Sequence, residues 1–187
     1  MISDQPPAQL QADGTTSDAV NAHAVNTHAD ALLRLRGLVT ERRRNQSGDD
    51  ALLASALAVV CDALQSPLGK VLELTGSGDL LAIRVGLGWN EGVAHSVVVT
   101  AATTSTAGYA LAQREAVMFD DVQGTKRFTD AALLRSHRVT ATLAVRIETA
   151  SGVRGVLSVH ERTSRRYTTS EATFIEAAAL IIGALMN

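Results

Sequence analysis

The spacing of apolar positions changes along the chain, and each change marks a different kind of element. From Val25 onward, Leu32, Leu35 and Val39 recur at intervals of three and four, the repeat of one helix face, with Arg34, Arg36 and Glu41 off it. The spacing predicts a helix over about 22–44. A second helix is capped by Ser47 or Asp49 and carries Leu52, Leu53, Ala56, Leu57, Val60, Ala63 and Leu64 at helical spacing, until Pro67 and Gly69 end it. Then the pattern turns to strands. VLEL at 71–74 and LLAIRV at 80–85 flank Gly76, Ser77, Gly78 and Asp79, a β-hairpin pattern.

A glycine-rich connection, GLGWNEG at 86–92, leads to a β-branched run over Ser96–Thr100 and a short helix around Ser105–Gln113. A strand over Ala116–Asp120 and a helix over Phe128–Ser136 follow. TATLAVRIE at 140–148 and VRGVLSVHE at 153–161, joined by TASG, predict a second hairpin. In the last segment Thr168 and Glu171 have the spacing of a capping box, in which each side chain satisfies the other's orphan backbone donor. Phe174, Ile175, Ala178, Ile181, Ile182 and Leu185 then mark a buried helix face. Strands in neighbouring pairs between helices favour an α+β fold with an antiparallel sheet over a βαβ repeat. Both sheet faces are expected to be covered, because β-run 153–159 puts Leu157 and Val159 on one face and Val156 on the other.

Composition narrows the picture. Residues 1–20 carry few large apolar side chains and read as a disordered tail, followed by a helical segment at 21–48 and one domain at 49–187. Lys and Arg number 17 against 19 Asp and Glu, and apart from Arg42–Arg44 they are dispersed, so a nucleic-acid partner is not expected. Cys61 is the sole cysteine, which excludes a disulfide within the chain and a zinc site built on a cysteine pair. The N-terminus lacks a signal-peptide pattern, and apolar runs such as Ala177–Ile182 fall far short of the roughly 20 residues of a membrane span. A cytoplasmic location away from membranes is expected.

GLGWNEG at 86–92, AGYAL at 107–111, the strand ending at Asp120, RFTDAALLRSHRV at 127–139, RGVLSVHER at 154–162 and RRYTTSEATFIEAAALI at 165–181 occur in the order seen in bacterial GAF domains. The chain resembles that family from about Asp49 to Leu185. The resemblance implies a six-stranded antiparallel sheet, a helical layer on one face that pairs with a second copy, and a small-molecule pocket on the other. It also implies service to an output kinase, cyclase or transcription regulator. Several branches of the family are disfavoured. The Asn-Lys-Phe-Asp-Glu set of cyclic-nucleotide binders is absent; LLRSHRV at 133–139 has no cysteine for a covalent bilin; and a lone Cys61 cannot supply the cysteines of members that reduce free methionine sulfoxide.

On the same resemblance, ligand contacts are expected from Trp89, Tyr109, Phe119, Asp121, Phe128, Leu134, His137 and Arg146. Trp89 and Tyr109 belong to a set of one Trp, two Tyr and three Phe, and either wall the pocket or close the core at the sheet edge. His137 lies where haem-binding members take an axial ligand, and it can equally fix its loop by hydrogen bonding. Arg146 either selects an anion from the pocket face or is a solvated charge beside Glu148. Asp120 and Asp121 lack a partner nucleophile or base, so they read as turn caps and not as catalysts. His95 and His160 have no ligand-spaced neighbours for a metal. The expected function is a non-enzymatic sensory module that binds an unidentified small molecule and relays through a helical homodimer. Two alternatives remain: a haem-based sensor through His137, and a dimerisation module whose pocket is filled.

Overall fold

The computed structural model describes residues 14–45, 49–94, 97–124, 127–128 and 131–186. Along the chain these form α1 (Gly14–Asn45), α2 (Asp49–Ala63), β1 (Leu68–Leu74), β2 (Leu80–Leu87), β3 (Val98–Thr100) and α3 (Thr106–Ala112). Then come β4 (Val117–Phe119), α4 (Ala131–Ser136), β5 (Ala141–Thr149), β6 (Gly152–Glu161) and α5 (Thr169–Leu185). The strands make one six-stranded sheet in the order β3-β2-β1-β6-β5-β4, and every neighbouring pair is antiparallel. The α+β fold expected from the pattern is the one observed.

Several boundaries moved for physical reasons. The chain from Gly14 is already helical, so residues 14–20 of the expected tail belong to α1. The first strand begins at Leu68 and not at Val71, because β6 supplies ladder partners that far back, pairing Leu68 with His160 and Lys70 with Ser158. Phe128 stays outside α4, which starts at Ala131. The expected Ser47 cap, Ser96 and His95 lie outside the described residues. At α5 the capping box forms in full: Thr168 Oγ1 accepts from Glu171 N at 3.2 Å, and Glu171 Oε2 accepts from Thr168 N at 2.7 Å.

The sheet separates two layers. On one face Val71, Val85, Leu143, Val145, Leu157 and Val159 pack with Leu35 of α1, Leu53 and Leu57 of α2, and Ile175 and Ile182 of α5. Leu35, Leu53, Ile175 and Ile182 are fully buried, and truncating such a side chain to alanine costs roughly 2–5 kcal/mol. Close approach is set by small residues. A Cβ on Gly69 would stand 2.4 Å from Cys61 Sγ, so α2 lies directly on β1 only because that side chain is missing. Cys61 is thereby sealed in the helical layer, where burial and then the Glu161 carboxylate push its thiol up to about 12. Cys61 is expected to resist a thiol-reactive disulfide reagent in the folded protein and to react within seconds in denaturant, as absorbance of the released thiolate would record.

The opposite face carries Leu72, Leu81, Ile83, Val99, Ala144 and Val156 under Ala107 and Ala110 of α3. Ser105 caps this short helix, accepting from Gly108 N at 2.8 Å while donating to Thr100 O at 2.6 Å. The alanines let α3 sit close to the sheet, and larger side chains fill the end of this face where β1, β5 and β6 meet the 86–92 and 137–140 loops.

Candidate functional site

Strand alternation puts Leu68, Lys70 and Leu72 of β1, Thr142, Ala144 and Arg146 of β5, and Val156, Ser158 and His160 of β6 on the face away from the helical layer. The half under α3 is apolar, and the other half is polar yet equally buried. Lys70 is 1% exposed, Ser158 2%, His160 1% and Thr142 0%. Thr142 Oγ1 and His160 Nδ1 are 2.8 Å apart, and His160 Nε2 and Ser158 Oγ are 3.1 Å apart, so the imidazole is bonded at both nitrogens. Burial, and secondly the Lys70 ammonium, hold His160 well below its ordinary pKa, which keeps it neutral.

Trp89 closes this cluster from the 86–92 loop. Its indole Nε1 donates to Gly69 O at 2.7 Å, the Lys70 ammonium lies 5.1 Å from its ring centroid, and the His160 ring meets it edge-on at 5.2 Å. Gly86 makes the fit: a Cβ there would stand 3.1 Å from Trp89 Cδ1. His137 meets the same indole at 4.9 Å. Asn90 N donates to His137 Nε2 at 3.1 Å, so Nε2 holds the lone pair and Nδ1 carries the proton that bonds Leu133 O at 3.0 Å. Arg162 ties the two loops together through the carbonyls of His137 and Gly88 at 3.3 and 3.4 Å.

A second cluster lies beyond Leu68 and Leu134. Tyr109, Phe119 and Phe128 form an edge-to-face trio with centroids 4.9 to 6.2 Å apart, and the Arg127 guanidinium stacks over Tyr109 at 4.1 Å. Outside it runs an open groove of about 580 Å³ that includes Phe119, Asp121, Phe128, Arg127 and Arg166. Two carboxylates, Asp120 and Asp121, and two guanidiniums, Arg127 and Arg166, line it, so it carries no dominant charge. Asp121 uses its carboxylate on its own turn, accepting from Gln123 N at 3.1 Å and Gly124 N at 2.8 Å.

Of the residues expected from the sequence, Trp89 joins His137, and Tyr109 joins Phe119 and Phe128, with Leu134 buried between the clusters. Arg146 stands apart from both clusters. It lies on the sheet face away from the helical layer but pairs with Glu148, and its side chain is only 17% exposed, so it is a half-buried ion pair with its Nε sealed from solvent. Lys70, Thr142, Ser158 and Arg162 are additions that sequence reasoning missed. His160 enters as part of a polar network and not as a metal ligand.

The family model described as GAF domain matches residues 50–186. The chain belongs to the GAF domain family. Solved structures agree on the fold at low identity. The GAF domain of a phosphoenolpyruvate-protein phosphotransferase from Coxiella burnetii is 14% identical with a TM-score of 0.71, the match covering 84% of this chain and 94% of that one. A free methionine-R-sulfoxide reductase from Neisseria meningitidis, solved with its substrate, is 16% identical with a TM-score of 0.68, covering 84% and 87%. A phycocyanobilin-bound GAF domain of a cyanobacterial phytochrome is 13% identical with a TM-score of 0.65, covering 85% and 93%. A search of the curated proteins finds no match.

Within this GAF fold the residues present do not suit haem ligation by His137. The lone pair that iron requires already accepts from Asn90 N, and the other nitrogen is turned to Leu133 O. Cys61 lies in the helical layer across the sheet from Trp89 and His137. Among the described residues no group of three or more His, Cys, Asp or Glu is placed to hold a metal ion, and no helix is long and apolar enough to cross a membrane.

Proposed function

We propose that this GAF domain is a non-enzymatic regulatory module that binds a small molecule beneath Trp89 and relays its occupancy through α1 and α5 in a homodimer. The observation that carries this reading is the two-sided use of the same strands. On one side β1, β5 and β6 hold a buried polar cluster under a single indole. On the other they carry helices that expose large apolar side chains: Val25 is 57% exposed, Leu33 64% and Leu180 66%. A bound molecule that moves β1 or β6 by a fraction of an ångström shifts the helices packed on them, because close-packed layers transmit displacement.

The dimer argument rests on those outer residues. The stripe Leu32, Leu35 and Val39 is largely spent within the chain, since Leu35 is fully buried and the other two are partly buried against the core. Val25, Ala29 and Leu32 instead line a shallow groove with Thr173, Phe174 and Ala177 of α5, which a two-fold partner would fill with the same face. The His28 ring stacks on Phe174 at 4.5 Å and Arg42 Nη1 donates to Ala184 O at 2.9 Å, so α1 and α5 run side by side as one docking unit. Output would pass to a kinase, cyclase or transcription regulator.

Sedimentation velocity is expected to give a dimer at tens of micromolar, and a Leu33→Asp, Leu180→Asp double variant a monomer with an unchanged circular dichroism spectrum. A monomeric parent protein would contradict the relay. The thiol chemistry of the reductase relative is not proposed for this chain, because Cys61 is sealed in the other layer with its thiol pushed up to about 12.

A further inference from the structure

We infer that His28 is a proton-sensitive latch between α1 and α5: protonating its imidazole frees the first half of α1, residues 14–30, and with it one wall of the groove between the two helices. This rests in part on the function proposed above, where that groove is the face given to a second copy, and it names what regulates that face.

The burial of α1 is uneven. Ala31 and Leu35, 3% and 0% exposed, begin a continuous contact with the core, Leu38 and Val39 extend it, and Arg42 Nη1 reaches Ala184 O at 2.9 Å. The second half of the helix is thus held at several points. Among residues 22–30, Ala24 and Thr27 are half-buried and only His28 is buried, at 8% exposed. Its ring lies flat on Phe174 of α5, with centroids 4.5 Å and planes 15° apart. Val25, Ala29 and Leu32 beside it on α1, with Thr173 and Ala177 on α5, shape a groove of about 360 Å³. Lifting His28 off Phe174 therefore dismantles the groove.

No free counter-ion waits for an imidazolium at this point. On α1 itself His23 and Asp30 are exposed, and Ala24, Val25, Ala31 and Leu32, one turn away, are apolar. From α5, Glu171 acts on His28, but its carboxylate already accepts from Thr168 N at 2.7 Å and pairs with Arg165, which also holds Glu161 at 2.6 Å. On α2, Asp62 is paired with Arg34, further along α1. A docked imidazolium would lose hydration without gaining a partner of its own. Burial accordingly holds His28 below its ordinary 6.5, with Glu171 offsetting part of the effect. The Phe174 face attracts a cation as well, yet it does not replace the water that the ring regains when α1 lifts. Docking is complete above about pH 6.5 and weakens as the pH falls, because only the lifted state takes the proton readily.

Hydrogen exchange of the purified 187-residue chain, read by mass spectrometry of peptic fragments and corrected for intrinsic rates, tests the latch. Between about pH 7.5 and 5.5, residues 22–30 are expected to lose up to about tenfold in protection. His28→Phe keeps a ring on Phe174 and takes no proton, so in this variant the segment is expected to stay protected at the lower pH. His160 still titrates there, so a general loss of stability in acid is not mistaken for the latch. If His28→Phe does not fold, His28→Gln serves, with protection that is lower but the same at both pH values. Equal protection of residues 22–30 at both pH values in the parent overturns the inference, as does a loss that survives in these variants. Sedimentation at the same two pH values separates the latch from the homodimer. A dimer that weakens in acid in the parent and not in His28→Phe supports both. A monomer throughout that still shows the loss of protection keeps the latch and contradicts the homodimer, and a dimer throughout with no such loss does the reverse.

Discussion

Gly155→Val is expected to leave little folded protein at physiological temperature. A Cβ at Gly155 would stand 1.9 Å from Leu72 O, a backbone atom of the neighbouring strand that cannot turn aside as a side chain can. The β1–β6 pair would have to part at the centre of the sheet, where Val71 meets Leu157 and Leu72 meets Val156, all fully buried. Overpacking of this sort costs about 1–3 kcal/mol even where side chains can yield, and more where backbone must, against a total stability of roughly 5–15 kcal/mol. Thermal melts followed by circular dichroism would show it, with Gly155→Ala falling between the parent and the valine variant. A valine variant that melts within a degree or two of the parent would mean that β1 and β6 are not so closely apposed. The consequence reaches the site, since the same ladder pairs Lys70 with Ser158.

Acid is expected to destabilise the fold well above the range in which carboxylates titrate. His160 has an ordinary value of 6.5 in the unfolded chain and lies well below it when folded, so between those values only the unfolded chain takes up the proton. Stability is therefore complete above about pH 6.5 and falls as the pH drops, by up to about 1.4 kcal/mol per pH unit from this residue. His28 acts in the same direction, lowered by burial and partly opposed by Glu171. Glu171 itself is held below its ordinary 4.5, where burial is outweighed by hydrogen bonds from Thr168 and by Arg165, so its contribution is lost only in stronger acid. Urea unfolding at about pH 7.5, 6.5 and 5.5 isolates the histidines. In His160→Gln the slope of stability against pH should flatten even though absolute stability also falls; an unchanged slope would place the proton uptake elsewhere.

Legibility in the sequence followed how local each signal was. The capping box at Thr168 and Glu171 and the turn at 76–79 need only neighbouring residues, and both formed as read. The two faces of β6 were equally legible, because Leu157, Val159 and Val156 alternate by strand geometry alone. Lys70 was missed for the opposite reason. Pro67 and Gly69 read as the end of a helix, which hid the first half of β1, and a lysine outside a strand carries no expectation of burial. Only the non-local pairing with Ser158 and Gly86 makes it a buried charge. His160 was legible as a residue but not as a role, since its hydroxyl partners come from its own strand and from β5. The haem alternative for His137 turned on a backbone donor, Asn90 N, from 47 residues away. Spacing in sequence contains no trace of such a contact. Arg146 was read as either a selector or a solvated charge, and it is a half-buried partner of Glu148.

On the function proposed above, this GAF domain is two-sided, with a ligand under Trp89 and a partner on α1 and α5. Native mass spectrometry of the purified 187-residue chain tests both sides at once. A homodimer in which each chain carries a small additional mass, released on activation, is expected. A monomer at the bare chain mass would contradict it.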